Sequence, residues 1–341
     1  MSDENILVLN GDQILTLLQN RELEIMQVIK SAYKIYEEGN SFLPHSSFLR
    51  FPDNINNRII ALPAYLNGDL KTAGIKWIAS FPDNLAMNME RASAVLILNS
   101  TENGRPQAMM ESSVISAKRT AASAVIAANC LQSEQLLTKL GMIGCGLINF
   151  ETLRFLIASH PEIESLFIYD LSLARAEQFK LKCKQLSKKL EILILEDPNT
   201  ILQIASLISF ATTASKPHIF DMPEKNSDKI ILHISLRDLS PEFILLADNI
   251  VDDIDHVCRA ETSIHLAEQL VGNRNFIRCT IGSIFNSTAQ PRQDNKIAVF
   301  SPFGLGILDL ALGKLAYDLA IKENKGTIIK SFFPVPWLQR K

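Results

Sequence analysis

Leu140-Gly-Met-Ile-Gly144-Cys-Gly146-Leu-Ile-Asn149 restricts the fold more than any other stretch of this 341-residue chain. An apolar run enters a glycine turn; an amphipathic helix is then predicted to about His160, followed by a second strand, Leu166-Phe-Ile-Tyr169, that ends on Asp170. That is half of a dinucleotide-binding βαβ unit. Gly144 permits a turn tight enough to aim the helix N-terminus outward. Gly146 lets the backbone approach a pyrophosphate, whose charge the helix dipole and free N–H groups favour. A carboxylate at the tip of the second strand accepts hydrogen bonds from both adenosine ribose hydroxyls and repels a 2′-phosphate, so Asp170 favours NAD over NADP. Asn149 stands at the third glycine position, where it bears on close helix–strand packing more than on pyrophosphate binding. A glycine turn alone fits other α/β proteins too; the flanking strand, the helix and the acid select the dinucleotide reading.

The length predicts two domains. A chain 47% hydrophobic and 21% charged has the composition of a soluble globular protein. The net charge of -3 and the lack of a dense basic patch argue against a nucleic acid partner. Lys180-Leu-Lys182-Cys-Lys184 and Lys188-Lys189 read as the solvated face of a helix. The five cysteines (Cys130, Cys145, Cys183, Cys258 and Cys279) show no CxxC pairing, which points to reduced thiols and a cytoplasmic location. Cys145, inside the glycine turn, reads as a small packed side chain rather than a nucleophile. Met1-Ser-Asp-Glu has neither a basic start nor an apolar run, no stretch is long enough to span a bilayer, and the six histidines form no ligand cluster, so no metal is expected.

Residues 11 to 38 carry helical periodicity that Gly39 stops. From Phe42 the period changes to two, through His45–Phe51, Arg58–Pro63 and Thr72–Ala79, which predicts sheet strands. Ala94–Leu98 and Pro106–Met110 flank Asn103-Gly104, a hairpin signal. An α+β unit therefore extends to about residue 118. A helix with many small residues follows, from Ser112 to about Cys130. After the βαβ unit come strands near Ile192–Leu195, Leu207–Phe210, Ile230–Ile234 and Asn249–Val251. This alternation predicts a doubly wound parallel sheet with Thr212 and Asp238 at its ligand edge. Ala298-Val-Phe300 and a long helix from Ile307 to about Ile321 close the chain, and that helix is expected to return to the first domain.

Five stretches carry a resemblance: Gly74-Ile-Lys76-Trp, Ser116-Ala-Lys-Arg119-Thr-Ala-Ala, Gly144-Cys-Gly146, Arg237-Asp238 and Gly304-Leu-Gly-Ile-Leu-Asp309. Together they are similar to the ornithine cyclodeaminase and mu-crystallin family over nearly the whole chain. Asn88–Asn99, Met109–Ser112 and Ile143–Ile148 resemble its 2,3-diaminopropionate branch, found in siderophore and antibiotic pathways. The resemblance implies an α/β fold: a Rossmann doubly wound parallel sheet over residues 119–312, and a discontinuous α+β substrate and dimerisation domain over 1–118 with 313–341. It implies a homodimer, NAD bound by Gly144, Gly146, Leu147, Ile148 and Asp170, and Thr212 and Thr213 near the cofactor. Lys76 then activates the reacting C–N centre, Arg119 clamps the α-carboxylate, and Asp238 exchanges a proton.

The cyclodeaminases carry a glutamate where this chain has Ile60 and a methionine where it has Leu62, so the partner for ornithine's side-chain amine is missing. The branch instead implies NAD-dependent oxidative hydrolysis of N-(2-amino-2-carboxyethyl)-L-glutamate to 2-oxoglutarate and L-2,3-diaminopropionate, with a pyridoxal-phosphate synthase supplying the substrate. Three carboxylates ask for several guanidinium groups, and Arg50, Arg91 and Arg119 are the candidates. A lysine on an apolar strand such as Lys76 ordinarily faces outward. Burial beside arginines would instead lower its pKa and fit it for base work. The alternatives within the family are ornithine cyclodeaminase, alanine dehydrogenase, ketimine reductase and a non-catalytic NAD(P)H-binding protein like mu-crystallin.

Overall fold

The computed structural model describes residues 4–132, 138–223, 228–293 and 295–340. They fall into two compact units, Met1–Arg119 with Leu305–Lys341, and Thr120–Gly304. In chain order the first unit begins with β1 (Ile6–Leu9), α1 (Gly11–Leu17), α2 (Glu22–Glu37), β2 (Ser41–Phe42), β3 (Ser47–Phe51), β4 (Asn54–Leu66), β5 (Thr72–Ser80), β6 (Ala92–Asn99) and β7 (Pro106–Glu111). Helix α3 (Ser113–Leu131) runs across the boundary. The second unit holds β8 (Lys139–Ile143), α4 (Leu147–Ser159), β9 (Ser165–Tyr169), α5 (Leu173–Leu186), β10 (Glu191–Ile194), α6 (Pro198–Ile204), β11 (Leu207–Phe210), β12 (Ile230–His233), α7 (Pro241–Leu246), β13 (Asp248–Val251), α8 (Ile254–Val257), α9 (Ser263–Val271), β14 (Ile277–Thr280), α10 (Ile281–Phe285) and β15 (Ala298–Ser301). The chain then returns to the first unit as α11 (Gly306–Glu323) and β16 (Thr327–Ile329).

The first unit is built on a mixed sheet in the order β16-β1-β7-β6-β5-β4-β2, with β3 also paired to β4. Period-two alternation puts Leu62, Lys76, Leu96 and Met110 in one cross-strand row, on the face where Leu96 and Met110 are buried. Ala61, Trp77 and Val95 share a row on the opposite face, where Trp77 and Val95 are exposed. Strand β4 is longer than the pattern predicts and runs through Pro63. Its pairing with β3 ends at Ala61 and with β2 begins at Tyr65, so the missing proline N–H falls where only the β5 flank is paired. The single helix expected over residues 11–38 is two helices. Asn10 caps the first through a capping box with Gln13, and Asn20 takes a left-handed φ of 56° that ends it.

The second unit is an eight-stranded parallel sheet, β10-β9-β8-β11-β12-β15-β13-β14, with helices between its strands. The strand order reverses between β8 and β11, the switch point at which ligands sit in such sheets. The short strand β14 carries no clear period and was not expected. A core including Ile143, Ile208, Phe210, Ile231, Phe243 and Val299 closes around the sheet. Among the described residues no helix is long and apolar enough to cross a membrane.

Candidate functional site

The loop after β8 sits at the switch point. Gly144 has a φ of 93°, and a Cβ there would lie 2.4 Å from the Ala211 carbonyl oxygen at the end of β11. Only glycine lets the two crossing loops meet. Gly146 is the N-cap of α4 with no side-chain cap, and a Cβ on it would meet nothing within 4 Å. The first-turn N–H groups, those of Leu147 and Ile148 among them, are therefore left without a side-chain acceptor, with open space in front of Gly146. That fits the pyrophosphate of a dinucleotide. Asp170 follows β9, with Oδ2 accepting from the Cys145 amide at 2.8 Å and Oδ1 from the Ser172 amide at 2.9 Å. These bonds fix the carboxylate and leave lone pairs for ribose hydroxyls.

Asn149 is fully buried, and its side chain does what a third glycine would not. Nδ2 donates to the carbonyls of Gly144 (2.7 Å) and Ile143 (3.1 Å), and Oδ1 accepts from the Ser209 hydroxyl at 2.7 Å. The helix start is thus hydrogen-bonded to β8 and β11. Cys145 is buried, and burial followed by the Asp170 charge pushes its thiol up to about 12, so it is no nucleophile.

Thr212 and Asp238 meet in the same unit. The Thr212 hydroxyl donates to Asp238 Oδ1 and the Ser235 hydroxyl to Oδ2, while His218 Nε2 lies 3.9 Å from Oδ1. His233 Nε2 stands 3.2 Å from the Asp238 amide and 3.3 Å from Oδ2. A neutral ring accepts from the amide; a protonated one donates to the carboxylate. Asp238 is completely buried, and burial alone would raise its pKa. The bonds from His233, Ser235 and Thr212 outweigh that and hold it below the usual carboxylate range. Thr213 is exposed beside this group.

In the first unit Lys76 faces inward from β5. Its Nζ donates to Asp309 Oδ2 at 2.7 Å and to the Ser116 hydroxyl at 3.3 Å, and its side chain is 2% exposed. Arg119 Nε donates to the other oxygen, Asp309 Oδ1, at 3.3 Å. Burial lowers the Lys76 pKa to about 8; Asp309 raises it and Arg119 lowers it further. Arg91 donates to the Ser80 hydroxyl at 2.8 Å, and burial lowers its pKa. Arg50 is exposed, its guanidinium 5.6 Å from the Phe48 ring centroid. Lys76 and Arg119 are therefore brought together, while Asp238 belongs to the other unit with Thr212.

Reasoning from sequence missed Asp309 and Ser116 as members of this group, and Ser235 and His233 as partners of Asp238. Asp309 did leave a signal. It is an acid among apolar residues, three after Gly306 and four before Gly313, and so on their helix face. A Cβ on Gly306 would lie 3.2 Å from the Leu62 carbonyl oxygen, and one on Gly313 would lie 2.1 Å from the Leu96 side chain. The glycine face thus rests on the two residues that flank Lys76 in the sheet.

The model of the ornithine cyclodeaminase/mu-crystallin family matches residues 12–324. The chain belongs to that family. It is 30% identical over 340 residues to an N-((2S)-2-amino-2-carboxyethyl)-L-glutamate dehydrogenase of Staphylococcus aureus, covering 97% of this chain and 100% of that one. It is 26% identical to an alanine dehydrogenase of Archaeoglobus fulgidus, covering 96% and 98%. Among solved family members, an archaeal alanine dehydrogenase dimer with bound NAD superposes with a TM-score of 0.85 at 26% identity, over 96% of this chain and 100% of that one. The Thermococcus litoralis Δ1-pyrroline-2-carboxylate reductase, in complex with NADH and L-proline, shares the fold with a TM-score of 0.86 at 23% identity, over 94% and 99%.

Proposed function

We propose that this family member is a cytoplasmic, homodimeric, NAD-dependent dehydrogenase that converts N-(2-amino-2-carboxyethyl)-L-glutamate to 2-oxoglutarate and L-2,3-diaminopropionate. The observation that carries this reading is the Lys76–Asp309–Arg119 group, in which an amine lowered to about 8 sits beside a guanidinium suited to a carboxylate. The near-complete alignment with the Staphylococcus aureus dehydrogenase supports the choice of substrate. So does the distribution of cations. Arg50, Arg58 and Ser80 form one cross-strand row on the Lys76 face, and Arg91 reaches Ser80, which provides for a substrate with three carboxylates.

When bound, NAD supplies the acceptor for the hydride that leaves the glutamate α-carbon. Gly144, Gly146, Leu147, Ile148 and Asp170 would hold it, with Thr212 and Thr213 close by in the same unit. Hydride loss leaves a C=N bond; water adds to that carbon, and the C–N bond then breaks so that the nitrogen departs with the diaminopropionate chain. Neutral Lys76 takes a proton from the adding water, returns it to the departing nitrogen, and accepts the second water proton from the hydroxyl as the carbonyl of the keto acid forms. Arg119 binds the α-carboxylate, and Arg50 and Arg91 the others. Asp238, pinned as an anion, orients Thr212 and Ser235. The apolar outer row with Trp77 and Val95 (45% and 37% exposed) supports burial of that sheet face against a second copy.

The test is purified protein with NAD and a panel of N-substituted glutamates, alanine, ornithine and proline, following nicotinamide absorbance and identifying the keto acid. Release of 2-oxoglutarate from the diaminopropionate-linked glutamate alone is expected. Turnover of alanine, ornithine or proline without 2-oxoglutarate would overturn the assignment. Tight NADH binding with no amino acid-dependent reduction would point instead to a non-catalytic binding protein.

A further inference from the structure

Helix α11 delivers one carboxylate to two cations. Gly306 and Gly313 bring the helix down on β4 and β6, so Asp309 arrives over β5, where Lys76 stands between Leu62 and Leu96. Its two oxygens divide their work: Oδ2 holds the Lys76 amine at 2.7 Å and Oδ1 holds the Arg119 guanidinium at 3.3 Å. The carboxylate is fully buried and the lysine nearly so. From the geometry we infer that Asp309 is a positioning residue that fixes the spacing between the proton-transferring amine and the carboxylate clamp and keeps a proton available on the amine. This inference rests on the roles given above to Lys76 and Arg119.

Among the described residues, the charged and polar groups that meet Lys76 come from two helices. Asp309 comes from α11 and Arg119 and Ser116 from α3, while its cross-strand neighbours, Leu62 and Leu96, are apolar. Burial and Arg119 both drive the proton off, and Asp309 opposes them. Without that carboxylate the amine is left neutral at lower pH and loses the shorter of its two hydrogen bonds.

The experiment is Asp309→Asn, read in two ways. The first needs no substrate. In protein carrying 13C at the lysine ε-carbon, the Lys76 signal is assigned by its absence in Lys76→Met, and its titration midpoint is followed by NMR. Wild type is expected near pH 8, with a lower midpoint in Asp309→Asn; an unchanged midpoint would overturn the inference. The second uses whichever amino acid wild type turns over. Here kcat is expected to fall about 10²-fold, the scale of an ångström's misplacement, with the pH limb displaced downward and KM raised as Arg119 loosens. Adding Asp309→Asn to Lys76→Met should change kcat by no more than about threefold, because the two act as one unit; independent multiplicative losses would overturn the inference. If Asp309→Asn does not fold, Asp309→Asn/Lys76→Met decides. Recovery of folding when the stranded amine is also removed supports the pairing, and failure of both variants alike overturns it. A wild type that turns over nothing in the panel would end the substrate assignment and leave the NMR result to judge Asp309.

Discussion

Lys76 in the first unit and Asp238 in the second are both buried, and they are treated oppositely. Asp238 accepts from the Thr212 and Ser235 hydroxyls and has the His233 ring against it, and together these overcome its burial and pin it as an anion. Lys76 has one carboxylate, one hydroxyl and a neighbouring guanidinium, which do not overcome its burial, and its pKa falls to about 8. Burial alone therefore does not make a group a proton carrier; the balance of partners around it does. On this comparison the lysine moves protons and the aspartate is a fixed charge.

The largest effect expected is from Lys76→Met, which should lower kcat by about 10²–10⁴-fold, the usual worth of proton transfer by a positioned side chain. The wild-type rate should rise with pH through about 8, as a base of that pKa requires, and this limb should vanish in the variant. Steady-state kinetics over pH reads both. A limb that survives in Lys76→Met but is lost in Asp238→Asn would reverse the two roles.

Asp238→Asn should act on stability first. Donors left without their anion cost about 1–3 kcal/mol, read by urea denaturation near neutral pH. The folded pKa of Asp238 is lowered, so its stabilisation is present in full above the ordinary carboxylate value and is lost as pH falls through the lower folded one. The deficit of the variant should therefore shrink in acid. A deficit that grows in acid would show that the carboxyl is protonated in the folded protein.

The pH dependence at Lys76 runs in the same direction and lies in the alkaline range. The Lys76 pKa drops from 10.5 to about 8 on folding, so between those values the unfolded chain binds more protons and stability rises with pH. Denaturation at several pH values in that window should show wild type gaining on Lys76→Met; parallel curves would place Lys76 in contact with solvent.

The parallel sheet was legible because its evidence is local. The Gly144 turn, the strand ending on Asp170 and the recurring apolar runs each lie within a few residues, and the family resemblance added the cofactor. The break at Asn20 was not legible, because apolar periodicity continues through it while a single left-handed residue stops the helix. Asn149 looked like a departure from a motif, and its hydrogen bonds make it a working substitute.

The two kinds of sheet, the glycine turn and its acid are written into the residue order, since they follow from periods of two and 3.6 residues and from which backbones glycine allows. Which charges pair is a matter of packing. Lys76 and Asp309 are 233 positions apart, and Arg119 and Asp309 are 190 apart. No local pattern connects such residues. They meet because two glycines let a returning helix settle on the strand that carries the lysine, and a buried charge takes its pKa from whatever packing brings to it.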